Sequence, residues 1–122
     1  MEQFILILER MYTLEDLQIF KDNPYDTMIK YTVDTKRKVI AIGGEMHADS
    51  EEVLLKNGSN SKDIWGANLL PWQEKASIEY ISLINIRPPI NKKMEIEIPE
   101  IREIVKQITI QWIKLDYEDA LS

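Results

Sequence analysis

Ile29-Lys30-Tyr31-Thr32-Val33-Asp34-Thr35-Lys36-Arg37-Lys38-Val39-Ile40-Ala41-Ile42-Gly43-Gly44 is the stretch that decides the fold class of this chain. Ile29, Tyr31 and Val33 alternate with Lys30, Thr32 and Asp34, the period of a strand whose side chains point to opposite faces. Val39-Ile40-Ala41-Ile42 is a second apolar run, and the polar Asp34-Thr35-Lys36-Arg37 between the two predicts a β-hairpin. Gly43-Gly44 ends the second strand, because glycine weakens strand interiors and admits backbone angles closed to other residues.

Working outward, Phe4-Ile5-Leu6-Ile7-Leu8 reads as a buried strand. Thr13-Leu14-Glu15-Asp16 has the spacing of a capping box, which predicts a short helix over 14–21 ended by Asp22-Asn23-Pro24. Asp49-Ser50-Glu51-Glu52 opens a second short helix carrying Val53, Leu54 and Leu55, stopped at Asn57-Gly58. Residues 58–62 read as a loop, and 63–70 as a strand weakened by Gly66 and Asn68. Ile78–Arg87 alternates cleanly and reads as a central strand closed by Pro88-Pro89. Pro99 suits the first turn of a long helix whose apolar stripe is Ile101, Ile104, Val105, Ile108, Trp112 and Leu115. The sum is a single α+β domain over 1–115: a mostly antiparallel sheet of four or five strands, one long C-terminal helix packed with two short ones mainly on one face, and a frayed acidic tail at 116–122.

The chain has 122 residues, 44% hydrophobic and 30% charged, as in an ordinary globular domain. With 15 basic and 21 acidic residues its formal charge is −6, which disfavours a nucleic-acid partner, since phosphate binding draws on Lys/Arg displacing counterions. The absence of cysteine excludes disulfides, thiolate nucleophiles and cysteine-ligated metal, and it fits the cytoplasm. The apolar run at 4–8 is too short for a membrane span and lacks the basic flank of a signal peptide. No sequence motif implies a cofactor.

Val39–Asp49, Asp63-Ile64-Trp65-Gly66-Ala67-Asn68-Leu69, Ser82-Leu83-Ile84-Asn85-Ile86-Arg87-Pro88 and Pro99-Glu100-Ile101-Arg102 together resemble a family of small uncharacterised prokaryotic proteins classed as a domain of unknown function. The resemblance spans residues 3–110. It implies a prokaryotic cytoplasmic protein and carries no activity, so no catalytic residue comes with it.

Chemistry is concentrated in Gly43–Glu52, which holds the only histidine and four acidic residues. If the segment is extended, Glu45, His47 and Asp49 share one side and could hold a divalent metal or pair a base with an orienting carboxylate. Helix capping by Asp49 or Ser50 explains the same residue types without chemistry. Asn85 and Arg87 share a strand face, where an amide and a guanidinium fork could grip a small anionic ligand, or where Arg87 could pair with Glu45 or Asp49. Trp112 reads as core, while Trp65 and Trp72 are either core or an anchor for a partner. Apolar residues on both faces of the 78–87 strand mean that either helices cover both sides of the sheet or a second copy does, and they raise the expectation of a homodimer or protein partner. Two functions follow: a non-catalytic binding or interaction module using Glu45, His47, Asp49, Asn85 and Arg87, or a small metal-assisted or acid–base hydrolase centred on Glu45, His47 and Asp49.

Overall fold

The hairpin read from residues 29–42 lies at the centre of the sheet. The computed structural model describes residues 4–118, in which β1 (Ile5–Ile7), β2 (Tyr12–Thr13), β3 (Ile29–Asp34), β4 (Val39–Gly43), α1 (His47–Lys56), β5 (Ile64–Leu70), β6 (Ser77–Glu79), α2 (Pro99–Trp112) and β7 (Ile113–Lys114) follow in chain order. Short 3-10 turns occupy Asp16–Phe20, Ser61–Asp63 and Leu83–Asn85. Five strands form one antiparallel sheet in the order β1-β4-β3-β5-β6, and β2 and β7 make a separate parallel pair. This is the expected α+β class.

Register decides which face each residue serves. Tyr31 stands opposite Ile42 and Ala67, and Val33 opposite Ile40 and Trp65. Those residues make the main core, joined from above by Leu17 and Phe20 of the first 3-10 turn and by Val105 and Ile108 of α2. The buried Tyr31 hydroxyl and Thr109 Oγ1, 2.8 Å apart, tie α2 to the sheet. On the other face Thr32 stands opposite Ala41 and Gly66, small residues that let α1 lie close. Ala41, Leu54 and Ile64 form a second core there. Helices therefore cover both faces, against the expectation that they pack mainly on one, and the second apolar face is covered from within the chain.

Several expected boundaries move for identifiable reasons. The Thr13–Asp16 capping box is present, with the Thr13 N–H donating to Asp16 Oδ2 at 2.8 Å, but the turn it starts is 3-10 and ends at Phe20. Strand β6 stops at Glu79, so Ile78–Arg87 is not one strand: Ser82 Oγ accepts the Ile84 N–H at 3.2 Å and bends the chain into the 83–85 turn, while Tyr80 and Ser82 bond to residues 94–96. Helix α2 ends at Trp112, because Ile113 is extended and pairs with Tyr12 in β7; Ile104, assigned to the stripe, is exposed. Of the segment read as a tail, Asp116–Glu118 are fastened to Ala76 by two backbone hydrogen bonds of 2.8 and 3.0 Å; residues 119–122 lie outside the described ones. Among the described residues no helix is long and apolar enough to cross a membrane.

Candidate functional site

Gly43 and Gly44 have φ of +108° and +92°, and a Cβ on Gly43 would stand 2.3 Å from the Phe4 carbonyl oxygen, so the turn out of β4 needs glycine. It delivers the chain directly into α1. The helix begins at His47, not after Ser50: Met46 is the N-cap, and Asp49, in the third helical position, accepts the Met46 N–H at 3.2 Å. Residues 47–49 are therefore helical, and His47 and Asp49 project about 200° apart rather than to one side. Glu45 precedes the helix on the surface, where the Tyr25 hydroxyl donates to its carbonyl at 2.8 Å. Among the described residues no three His, Asp or Glu side chains are grouped to hold a metal ion.

His47 turns inward. It is 7% exposed, with Nε2 2.8 Å from the carbonyl oxygen of Ala67 on β5. A carbonyl can only accept, so Nε2 carries the proton and the neutral ring has its lone pair on Nδ1. Burial pushes the imidazole pKa below its ordinary value and the Lys30 ammonium adds to the depression, while the Ala67 carbonyl and a hydrogen bond with the Asn68 side chain work the other way. The approach depends on Gly66, where a Cβ would meet Ser82 Cβ at 2.6 Å and His47 Cδ2 at 3.1 Å.

Asn85 and Arg87 meet a different need. Because β6 pairs with only Asn68–Leu70, the first half of β5 has no neighbouring strand on its outer edge. Asn85, fully buried, supplies one from its side chain: Oδ1 accepts the Gly66 N–H at 2.8 Å and Nδ2 donates to the Gly66 carbonyl at 3.0 Å. Two residues earlier, on the same edge, Arg87 donates to the Ile64 carbonyl at 2.5 Å, and its remaining terminal donors go to the carbonyls of Ser61, Lys62 and Ile84. Its guanidinium also stacks on Trp65, 4.0 Å from the ring centroid. Together these side chains complete the hydrogen bonding that an adjacent strand would give.

The concave surface beside this edge is a cleft of about 300 Å³ between the start of α1, the sheet and residues 81–94. Three of the five methionines, Met28, Met46 and Met94, wall it together with Ile81 and Leu83. Leu83 is 62% exposed and Met46 52%, so the apolar wall is open to solvent. The polar groups at the cleft are Lys30, His47, Asn68 and Ser82. Asn68 is 7% exposed; its Nδ2 donates to Glu79 Oε1 at 3.4 Å, its side chain also interacts with the His47 ring, and its Oδ1, closed off from solvent, has no partner of close hydrogen-bond geometry among the described residues. Flipping the amide would set its oxygen against the Glu79 carboxylate, so this orientation is the favoured one. Of the residues picked from the sequence, only His47 lines the cleft. By sequence Asn68 reads only as a poor strand former; a lone amide in the run Ile64–Leu70 is the one signal that could mark it.

Comparison with known proteins adds a family and no chemistry. No curated protein and no solved structure matches the chain. A family model described as a protein of unknown function, DUF5674, matches residues 6–112, and the chain belongs to that family.

Proposed function

We propose that this protein is a non-catalytic binding module whose recognition site is the methionine-walled cleft at the start of α1. The observation that carries the reading is the concavity itself, walled by Met28, Met46, Met94, Ile81 and Leu83, with Leu83 and Met46 open to solvent and Lys30, His47, Asn68 and Ser82 beside them. The apolar wall with a few convergent polar groups is the ordinary composition of a small-ligand site, and thioether side chains adapt their shape to what enters. His47 and Asp49 serve the site by holding the end of α1 in place, and Asn85 and Arg87 by holding the edge of β5. The hydrolase alternative has no supporting geometry, since Glu45, His47 and Asp49 do not converge and Arg87 spends its terminal donors on backbone carbonyls.

Methionine-methyl and amide NMR against a set of small apolar alcohols, amines and acids tests the reading. Saturable shifts at Met28, Met46, Met94 and Asn68 are expected. A spectrum in which those signals stay fixed throughout the set would contradict it.

A further inference from the structure

We propose that the bare outer edge of β1 pairs with the same edge of a second copy of this chain, joining two five-stranded sheets across a twofold axis at Leu6. Backbone hydrogen bonding on β1 sets the geometry. The Leu8 N–H donates to the Ile40 carbonyl at 3.0 Å, and β1 runs antiparallel to β4 with Leu6 opposite Ile42. Backbone groups alternate in direction along a strand, so Leu6 and Leu8 turn theirs toward β4 while Ile5 and Ile7 turn theirs away from the sheet. Among the described residues nothing bonds the N–H or the C=O of Ile5 or Ile7. Both faces of the sheet are covered from within the chain; this edge is what stays open.

The two ends of the sheet differ. Beside β6, Ala76 donates to the Asp116 carbonyl at 2.8 Å and accepts the Glu118 N–H at 3.0 Å, and the Tyr80 carbonyl accepts the Ile96 N–H at 2.9 Å, so only Ile78 is left open between them. β1 has no such cover. Phe4–Leu8 also contains no charge and no proline, the usual devices that keep an edge strand from pairing. Ile5, Leu6 and Ile7 are half-buried and Phe4 is exposed. Shallow grooves flank the strand on both sides of the sheet, and the cations bordering them are paired within the chain, Lys56 with Glu52 at 3.0 Å and Arg10 with Asp16 at 3.1 Å. Copies brought together here therefore do not oppose free cations.

One antiparallel register satisfies the whole edge. With Leu6 opposite Leu6 of the second copy, Ile5 stands opposite Ile7 and Ile7 opposite Ile5, and each of these pairs exchanges both of its N–H···O=C bonds. Phe4 then meets Leu8, so the side chains match as apolar cross-strand pairs. Sliding the pair by two residues toward the C-terminus would set the charged Glu9 against Ile5 in place of Ile7. A twofold contact uses one patch twice, and this patch is its own complement, which favours a second copy over a foreign strand. The pairing is short, below the area of a standard interface, so a weak dimer is expected, with a dissociation constant on the order of 10–100 μM.

Sedimentation equilibrium of the full chain from about 5 μM to about 1 mM, with amide hydrogen exchange by NMR over the same range, tests the proposal. A monomer–dimer equilibrium is expected, in which the Ile5 and Ile7 amides exchange freely in dilute solution and slow as the dimer fills. Ile5→Lys and Ile7→Glu should each weaken self-association at least about tenfold, and an equimolar mixture of the two should restore it, because the register sets position 5 of one copy against position 7 of the other. Amide spectra of native pattern establish that both variants fold; if either does not, the exchange of Ile5 and Ile7 in the unsubstituted chain decides. A monomer at about 1 mM with those amides unprotected would leave the edge to another protein's strand and overturn the second copy. A dimer in which they still exchange freely, or a mixture that associates no better than its components, would overturn the register and the edge with it.

Discussion

Asn85→Leu isolates the side chain that stands in for a missing strand. Leucine keeps the branching and leaves no cavity, so the loss comes chiefly from hydrogen bonding, with overpacking by its bulkier methyls adding to it. Asn85 makes three side-chain bonds: from Gly66 N–H at 2.8 Å, to Gly66 C=O at 3.0 Å and to Met94 C=O at 3.0 Å. The Met94 carbonyl keeps the Ser82 N–H at 3.1 Å and belongs to an exposed residue, so it loses little. Both Gly66 groups belong to a buried residue and are left without those partners. At about 1–3 kcal/mol for each orphaned buried group, the variant should lose about 4 kcal/mol. That is a large share of the 5–15 kcal/mol (about) by which domains of this kind are stable. Urea unfolding followed by tryptophan fluorescence would show it as a midpoint lowered by about 2 M at an ordinary slope. A loss below about 1 kcal/mol would refute the account of Asn85 as a strand surrogate and reopen it as a ligand-facing amide.

Gly66→Ala should cost about 1–3 kcal/mol in the same assay, because its Cβ must displace Ser82 Cβ from 2.6 Å, and the His47 ring signals should shift as Cδ2 is pushed away; an unchanged ring would count against the contact. The His47 imidazole should appear by ¹⁵N NMR as the neutral Nε2–H tautomer at pH 7, titrating below the ordinary value near 6.5. Since its folded pKa is depressed, its contribution to stability is present above the unfolded value and declines as pH falls through that range; a His47→Gln variant should lack this part of the pH dependence. Asp16 is held well below the usual carboxylate range by the Arg10 guanidinium and the Thr13 N–H, so its contribution is likewise present above the unfolded value near 4 and lost on acidification. Asp16→Asn should therefore flatten the acid limb of stability against pH, and an unchanged limb would count against the pairing.

The sequence was most legible where periodicity and local chemistry agreed. Ile29–Ile42 alternates, Asp34 Oδ1 accepts the N–H groups of Lys36 and Arg37 at 2.9 and 2.8 Å to form the turn, and the paired glycines end β4, so the hairpin could be read directly. Pro99 and the spacing of Ile101, Val105, Ile108 and Trp112 gave α2 in the same way. Ile78–Arg87 misled because a period of two says that side chains alternate, not that a neighbouring strand exists to bond the backbone. At Ser82 a local hydroxyl-to-backbone bond competes with the ladder and wins. The acid–histidine segment was misread for a related reason: Asp49 acts from the third helical position, which moves the helix start back to His47 and separates side chains that an extended chain would align. Asn68 could be suspected from composition, but its place at the cleft depends on the register that sets it between Lys30 and Glu79.

The most direct test of the cleft as a recognition site is methionine-methyl NMR of the full chain against small apolar alcohols, amines and acids, repeated on a Leu83→Glu variant. Saturable shifts confined to Met28, Met46 and Met94 are predicted, weakening at least about tenfold in the variant, while the fold is kept because Leu83 is 62% exposed. Methyl signals that stay fixed throughout the set, or shifts that the variant leaves unaltered, would contradict the assignment.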